Sequence, residues 1–124
     1  MNISKIIVID DDAATCRLIE TALQLEGFRS ASVTRIVDDD IVAVLDNHQP
    51  DGLILDFHLQ TEETLKYVKV IRSDETWQEL PILMMSGIDR RRQCEQTGAD
   101  GFILKPFNWQ GLATAVSKVI AGKK

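Results

Sequence analysis

The chain has 124 residues, a net charge of -5, 44% hydrophobic and 27% charged residues. That balance fits one soluble globular domain over 1–124 with a single core. The acidic sign argues against direct nucleic-acid binding, and no apolar run reaches membrane-spanning length. The opening apolar run is too short for a secretory signal, and acids follow it at once. Cys16 and Cys94 are far apart and form no metal-ligand spacing, so they read as reduced, structural thiols in a cytoplasmic protein.

In chain order, Ile3 to Ile9 is apolar and β-branched and predicts a buried strand. Leu18, Ile19, Ala22 and Leu23 carry helical spacing, and Gly27 supplies a stop. Phe28 to Val33 predicts a second strand. Val37, Ile41, Val44 and Leu45 form a second helical stripe that ends before Pro50. Gly52 to Phe57 is a third strand, and Leu65, Val68 and Ile71 place a third helix. Pro81 to Met85 is a fourth strand. A short polar helix spans Asp89 to Thr97, with Gly98 as its stop. Gly101 to Leu104 is a fifth strand. Trp109, Leu112, Ala113, Val116, Val119 and Ile120 form a last amphipathic helix. The closing Ala121-Gly122-Lys123-Lys124 reads as a frayed helix end or a truncation point.

Five apolar strands alternating with five helices imply an α/β fold: a three-layer, doubly wound (βα)5 sandwich around a five-stranded parallel sheet. Ligands of such sheets bind at the carboxyl ends of the strands. Those ends carry Asp10, Asp11 and Asp12, then Asp56, Ser86 and Lys105. Each residue alone is ordinary in a loop, but their joint placement makes coincidence improbable. Carboxylates of Asp10, Asp11 and Asp56 repel unless a cation sits among them, and Mg²⁺ suits hard oxygen donors. A carboxylate is also a competent nucleophile toward phosphorus, with Lys105 and the Ser86 hydroxyl available to a phosphoryl group.

These positions, with Gly87 after Ser86 and Lys105-Pro106-Phe107, resemble a response-regulator receiver domain over essentially the whole chain. The resemblance implies the flavodoxin-like strand order 2-1-3-4-5. It makes Asp56 the phospho-acceptor and Mg²⁺ the cofactor. Asp11 would bind the ion directly and Asp10 through water, with the backbone carbonyl of His58 as a further ligand. Ser86 and Lys105 would hold the phosphoryl group, and Ser86 with Phe102 would form the switch. The implied partners are a sensor histidine kinase or phosphotransfer protein and a downstream target or fused output domain. A phosphorylation-linked dimer stays open.

Two stretches depart from the family pattern. The loop after the acceptor, Gln60-Thr61-Glu62-Glu63-Thr64, lacks the usual proline and glycine, and Thr61 could open a helix with acids in its first turn. The segment between Ser86 and Gly98 is short and carries almost no apolar stripe. Elsewhere the plainer reading is preferred. Asp38-Asp39-Asp40 reads as a helix start and Asp12 as a helix cap. His58 reads as a solvent-facing loop residue, although His58 and Ile88 flank the site and could tune dephosphorylation, with Ile88 shielding the acyl phosphate. Arg90-Arg91-Arg92 reads as a solvated basic face, with docking of an acidic partner as its rival. Trp77 and Trp109 read as packing residues.

The leading function is a phosphorylation-switched signalling module that is not an enzyme beyond its own phosphoryl transfer and dephosphorylation. A haloacid-dehalogenase-type Mg²⁺ phosphatase is the alternative. Asp10 and Asp12 imitate its opening motif, but Ala14 replaces the threonine and no acid follows Lys105. A flavodoxin-like cofactor site would need a phosphate loop where Asp10-Asp11-Asp12 stand. A phosphorylation-independent interaction module remains as a last reading. No output domain follows Lys124, which implies a stand-alone receiver or one excised from a longer chain.

Overall fold

The computed structural model describes residues 3–122. The sequence-based reading of a frayed end at Lys123 and Lys124 lies outside them. In chain order the elements are β1 (Lys5–Ile9), α1 (Ala13–Leu25), β2 (Arg29–Val33), a 3₁₀ turn (Val37–Asp39), α2 (Ile41–His48) and β3 (Gly52–Asp56). There follow β4 (His58–Leu59), β5 (Glu62–Glu63), α3 (Leu65–Ser73), β6 (Ile82–Ser86), α4 (Arg91–Thr97), β7 (Gly101–Leu104) and α5 (Trp109–Ala121).

The main sheet has five parallel strands in the order β2-β1-β3-β6-β7. Counting only its strands, this is the flavodoxin-like 2-1-3-4-5 order. The central strands β1, β3 and β6 are buried on both faces, so their successive side chains serve opposite layers, whereas the edge strands β2 and β7 are only partly covered. Ile7, Ile9, Leu53 and Leu55 pack with Ile41, Leu45, Val68 and Ile71 of α2 and α3. Ile6, Val8 and Ile54 pack with Cys16, Ile19, Leu23, Leu112 and Val116 of α1 and α5. Each fully buried side chain of this size contributes about 1.5–3 kcal/mol, which is why unbroken apolar runs specify the strands.

Asp12 caps α1, accepting from the Ala14 N–H at 3.2 Å and the Thr15 hydroxyl at 2.7 Å. Asp40 caps α2 through the Ala43 N–H, but Val37 is not in that helix. It lies exposed in the 3₁₀ turn, where Asp38 and Asp39 take positive φ. Among the three acids, only Asp40 does the predicted capping. Ile3 lies outside β1 and is exposed.

The expectation that Thr61 opens a helix is overturned. Residues 58–63 form a small antiparallel hairpin, and α3 starts at Leu65. Burial of Leu59 and a set of polar contacts, both local and long-range, outweigh the local helix-start pattern. Leu59 is buried in the core. The Tyr67 hydroxyl lies 2.6 Å from Glu62 Oε1 and 2.8 Å from Asp39 Oδ1, with Lys66 Nζ 3.2 Å from Glu62. The Gln60 N–H donates to Asp11 Oδ2 at 2.7 Å. Gln60 opens the two-residue turn at φ 59, a position that hairpins ordinarily give to glycine or asparagine.

At the opposite edge of the sheet, Arg72 staples α3 to two segments, 78–80 and 98–100. It donates to the carbonyls of Gly98 (2.8 Å), Gln78 (3.0 Å) and Leu80 (2.7 Å) and to the Asp100 carboxylate (2.8 Å). Asp100 also accepts from the Ile82 N–H.

Two outcomes follow from these contacts. Arg72→Met should lower stability by about 2–4 kcal/mol, read as a shifted urea midpoint at unchanged m. Arg72→Lys should recover only part of it, because one ammonium cannot span the planar fork. Gln60→Gly keeps the N–H and removes the left-handed cost, so it should gain up to about 1 kcal/mol in the same assay.

Candidate functional site

The carboxyl ends of β1, β3, β6 and β7 converge as expected. β1 delivers Asp10, 1% exposed, and then Asp11, which is exposed; β3 delivers Asp56, 8% exposed. One carboxylate oxygen from each of these three lies within 4.8 Å of the others. Lys105 follows β7, and its Nζ lies 3.0 Å from Asp10 Oδ2 and 3.4 Å from Asp56 Oδ2. The register places it there: the Lys105 N–H donates to the Ser86 carbonyl, extending the β6–β7 ladder by one residue.

Each acid is held differently. Asp10 accepts from Lys105 and, through Oδ1, from the Asp12 N–H. Both of its oxygens are therefore engaged by the protein. Asp11 accepts from the Gln60 N–H of the hairpin turn. The Asp56 backbone is fixed by Thr64, whose fully buried hydroxyl lies 2.7 Å from the Asp56 carbonyl and 3.1 Å from that of Phe57. Ser86 is buried at the end of β6, and its Oγ accepts from the Ile88 N–H at 3.2 Å.

Electrostatics sets the state of the cluster. Burial pushes the Asp56 carboxyl above the usual range, the charge of Asp10 adds to this, and Lys105 pulls against both. Burial alone lowers Lys105, but the Asp10 hydrogen bond and the Asp56 charge more than offset it, so its pKa rises. One ammonium against three clustered carboxylates leaves negative charge uncompensated. The donor set is hard oxygen throughout, so it fits a divalent oxygen-seeking cation better than a soft metal.

The other residues singled out from sequence fall as follows. His58 is half-buried on β4, its ring edge-on to Phe57 with centroids 4.9 Å apart, so it is not a freely solvated loop side chain. Phe102 on β7 is buried in the same cluster as Phe57. Ile88 is exposed beside Ser86. Arg90 and Arg91 are not a simple solvated face: their guanidinium carbons lie 4.4 Å from the Phe57 centroid and 5.7 Å from the Phe102 centroid. Trp77 is buried and donates to Asp46 at 2.8 Å, whereas Trp109 is largely exposed. Cys16 and Cys94 are buried free thiols, and burial pushes Cys94 up to about 11. Thr64 and Gln60 had no recognisable signal, because their roles depend on backbone brought close by the hairpin.

Fold and site together define a three-layer α/β protein built around an acidic, lysine-bridged pocket. The profile of the response regulator receiver domain matches residues 6–117. The chain is 29% identical over 120 residues to Chemotaxis protein CheY-3 of Vibrio cholerae, covering 93% of this chain and 90% of that protein. It is 30% identical over 125 residues to the phosphate regulon transcriptional regulatory protein PhoB of Rhizobium meliloti, covering 97% of this chain but 53% of that protein. The structure of chemotaxis response regulator CheY4 of Vibrio cholerae superposes with a TM-score of 0.84 at 21% identity, covering 95% of this chain and 99% of that one. The chain belongs to the response regulator receiver domain family of two-component signalling. It is a phosphorylation-switched signalling module and not a conventional enzyme; the phosphatase reading is not favoured.

The raised Asp56 pKa fixes the sign of a pH effect. Its folded pKa exceeds the unfolded one, so its contribution to stability is present at acid pH and lost as pH rises through the carboxylate range. Metal-free Asp56→Asn should therefore melt above wild type at neutral pH, with the gap closing below pH 4 or so. Saturating Mg²⁺ should stabilise wild type by about 2.7 kcal/mol at 100 times its Kd and the Asn variant by less. Thermal melts with and without the ion read both effects.

Proposed function

We propose that Asp56 accepts a phosphoryl group from a phospho-histidine donor and that the domain changes its partner surface in response. The observation that carries this reading is Lys105 Nζ standing between Asp10 and Asp56, with a third carboxylate inside 4.8 Å and a buried hydroxyl on the neighbouring strand. Asp56 is the carboxylate best suited to attack. Its backbone is locked by Thr64, and its carboxylate is the less tightly engaged of the two that face Lys105.

Asp10, Asp11 and Asp56, with the His58 carbonyl, would hold Mg²⁺. When bound, the ion neutralises charge on the carboxylates and on an incoming phosphoryl group. Because both Asp10 oxygens are already engaged, Asp11 is the acid with more freedom to bind it directly. Lys105 places a second positive charge beside the acceptor, and its raised pKa keeps it protonated at neutral pH. Ser86 Oγ–H can donate to a phosphoryl oxygen while still accepting from the Ile88 N–H. Phe102, buried on the strand next to Ser86, is the ring whose rotamer would report the change, as a local charge event biasing a two-state element. Ile88 and His58 would tune the lifetime of the acyl phosphate, Ile88 by keeping water from it.

A histidine kinase or phosphotransfer protein is the proposed donor, and a protein target or fused output domain the proposed receiver of the signal. The chain is proposed to act in the cytoplasm as a single receiver domain; among the described residues no helix is long and apolar enough to cross a membrane.

The decisive test is intact mass after incubation with acetyl phosphate and Mg²⁺. The expected result is one added phosphoryl group that is absent without Mg²⁺ and absent in Asp56→Asn. Steady phosphate release without an adduct would return the phosphatase reading to contention. Neither adduct nor release would leave a phosphorylation-independent interaction module.

A further inference from the structure

Arg90 has no part in the acceptor chemistry, yet its placement is specific. Its guanidinium carbon lies 4.4 Å from the centroid of Phe57, the residue next to Asp56. Its Nε is buried without a hydrogen-bond partner, and it belongs to none of the ion pairs among the described residues. An arginine serving an ion pair would face a carboxylate. Arg90 instead gives up hydration at Nε to lie on a ring that is itself fully buried.

The segment it anchors matters. Ser86 ends β6, and its Oγ accepts from the Ile88 N–H. Arg90 follows two residues later and opens α4. That helix has one buried residue, Cys94, so apolar packing holds it weakly. Residues 87–90 are thus suspended between the Ser86 hydroxyl and the Arg90 stack. Any movement of Ser86 toward a phosphoryl group on Asp56 would pull on the Ile88 N–H and the chain behind it.

We propose that Arg90 is a positioning residue for the phosphorylation response: its cation–π stack on Phe57 pins residues 87–90, and with them Ser86, in the resting arrangement. This rests on the reading of Ser86 as the phosphoryl-binding hydroxyl. A purely steric lid over Phe57 is the competing account. Arg90→Met separates the two, because it keeps the apolar cover and removes the charge.

The experiment titrates beryllofluoride, a phosphoryl mimic, in the presence of Mg²⁺, following the amide NMR signals of residues 86–88. Arg90→Met should half-saturate at a concentration about fivefold lower than wild type, the share a partly desolvated cation–π contact can supply. Arg90→Lys should fall between Arg90→Met and wild type, because an ammonium keeps the charge but not the planar stack, and Arg92→Met, whose parent side chain is exposed, should match wild type. Equal half-saturation in Arg90→Met and wild type overturns the proposal, as does Arg90→Lys behaving like Arg90→Met. Hydrogen exchange at residues 87–91 without ligand gives a second reading. Arg90→Met should exchange faster than Arg92→Met, and equal rates overturn the pin. If wild type takes up no beryllofluoride, the acceptor reading falls, and the exchange comparison alone decides whether Arg90 pins the segment.

Discussion

Lys105 lies between Asp10 and Asp56, and much of the molecule is arranged around keeping it there. Asp10 is almost completely buried, and an ionised carboxylate in that position is costly without a partner. The ammonium meets that demand from the far side of the sheet, across 95 positions of sequence. Its placement depends on the parallel register of β6 and β7, which sets the Lys105 N–H on the Ser86 carbonyl. A slip of one residue would turn the ammonium to the opposite face and strand the acid.

The same arrangement sets the site apart electrostatically from the core. One cation neutralises part of the charge of three carboxylates, leaving a negative excess that a divalent ion would relieve. That excess sits on a rigid base. Strands buried on both faces hold the acids, and the Thr64 hydroxyl ties the end of β3 to the start of α3. The cost of burying the Asp56 carboxylate is borne by the sheet and by the Arg72 staple at the opposite edge.

The two segments that depart from the family pattern turn out to be held by polar contacts. The hairpin at 58–63 is tied to Asp11 through a backbone N–H and to the 3₁₀ turn through Tyr67. The start of α4 is held by arginines on buried rings, with Arg91 also donating to the Phe102 carbonyl at 3.2 Å. In both, charge takes over the anchoring that an apolar stripe or a proline-glycine turn would ordinarily provide.

The sequence by itself determined the sheet and the placement of its polar edge. Runs such as Ile6 to Ile9 and Leu53 to Leu55, alternating with helical stripes, point to a doubly covered sheet, and a parallel sheet places Asp10, Asp56, Ser86 and Lys105 at one edge. Asp12 and Asp40 were legible as caps because capping is local: the oxygen and the N–H it accepts from lie within three residues. The hairpin, the positive φ of Gln60, the departure of Val37 from α2 and the stacking of Arg90 were not legible. Each is decided by a partner distant in the chain: Asp11 for Gln60, Asp39 for Tyr67, Phe57 for Arg90. Local propensity at Thr61 favoured a helix start, but it is worth tenths of a kcal/mol to about 1 kcal/mol. A buried leucine and charge-assisted hydrogen bonds outweigh that, and only the folded chain brings them together.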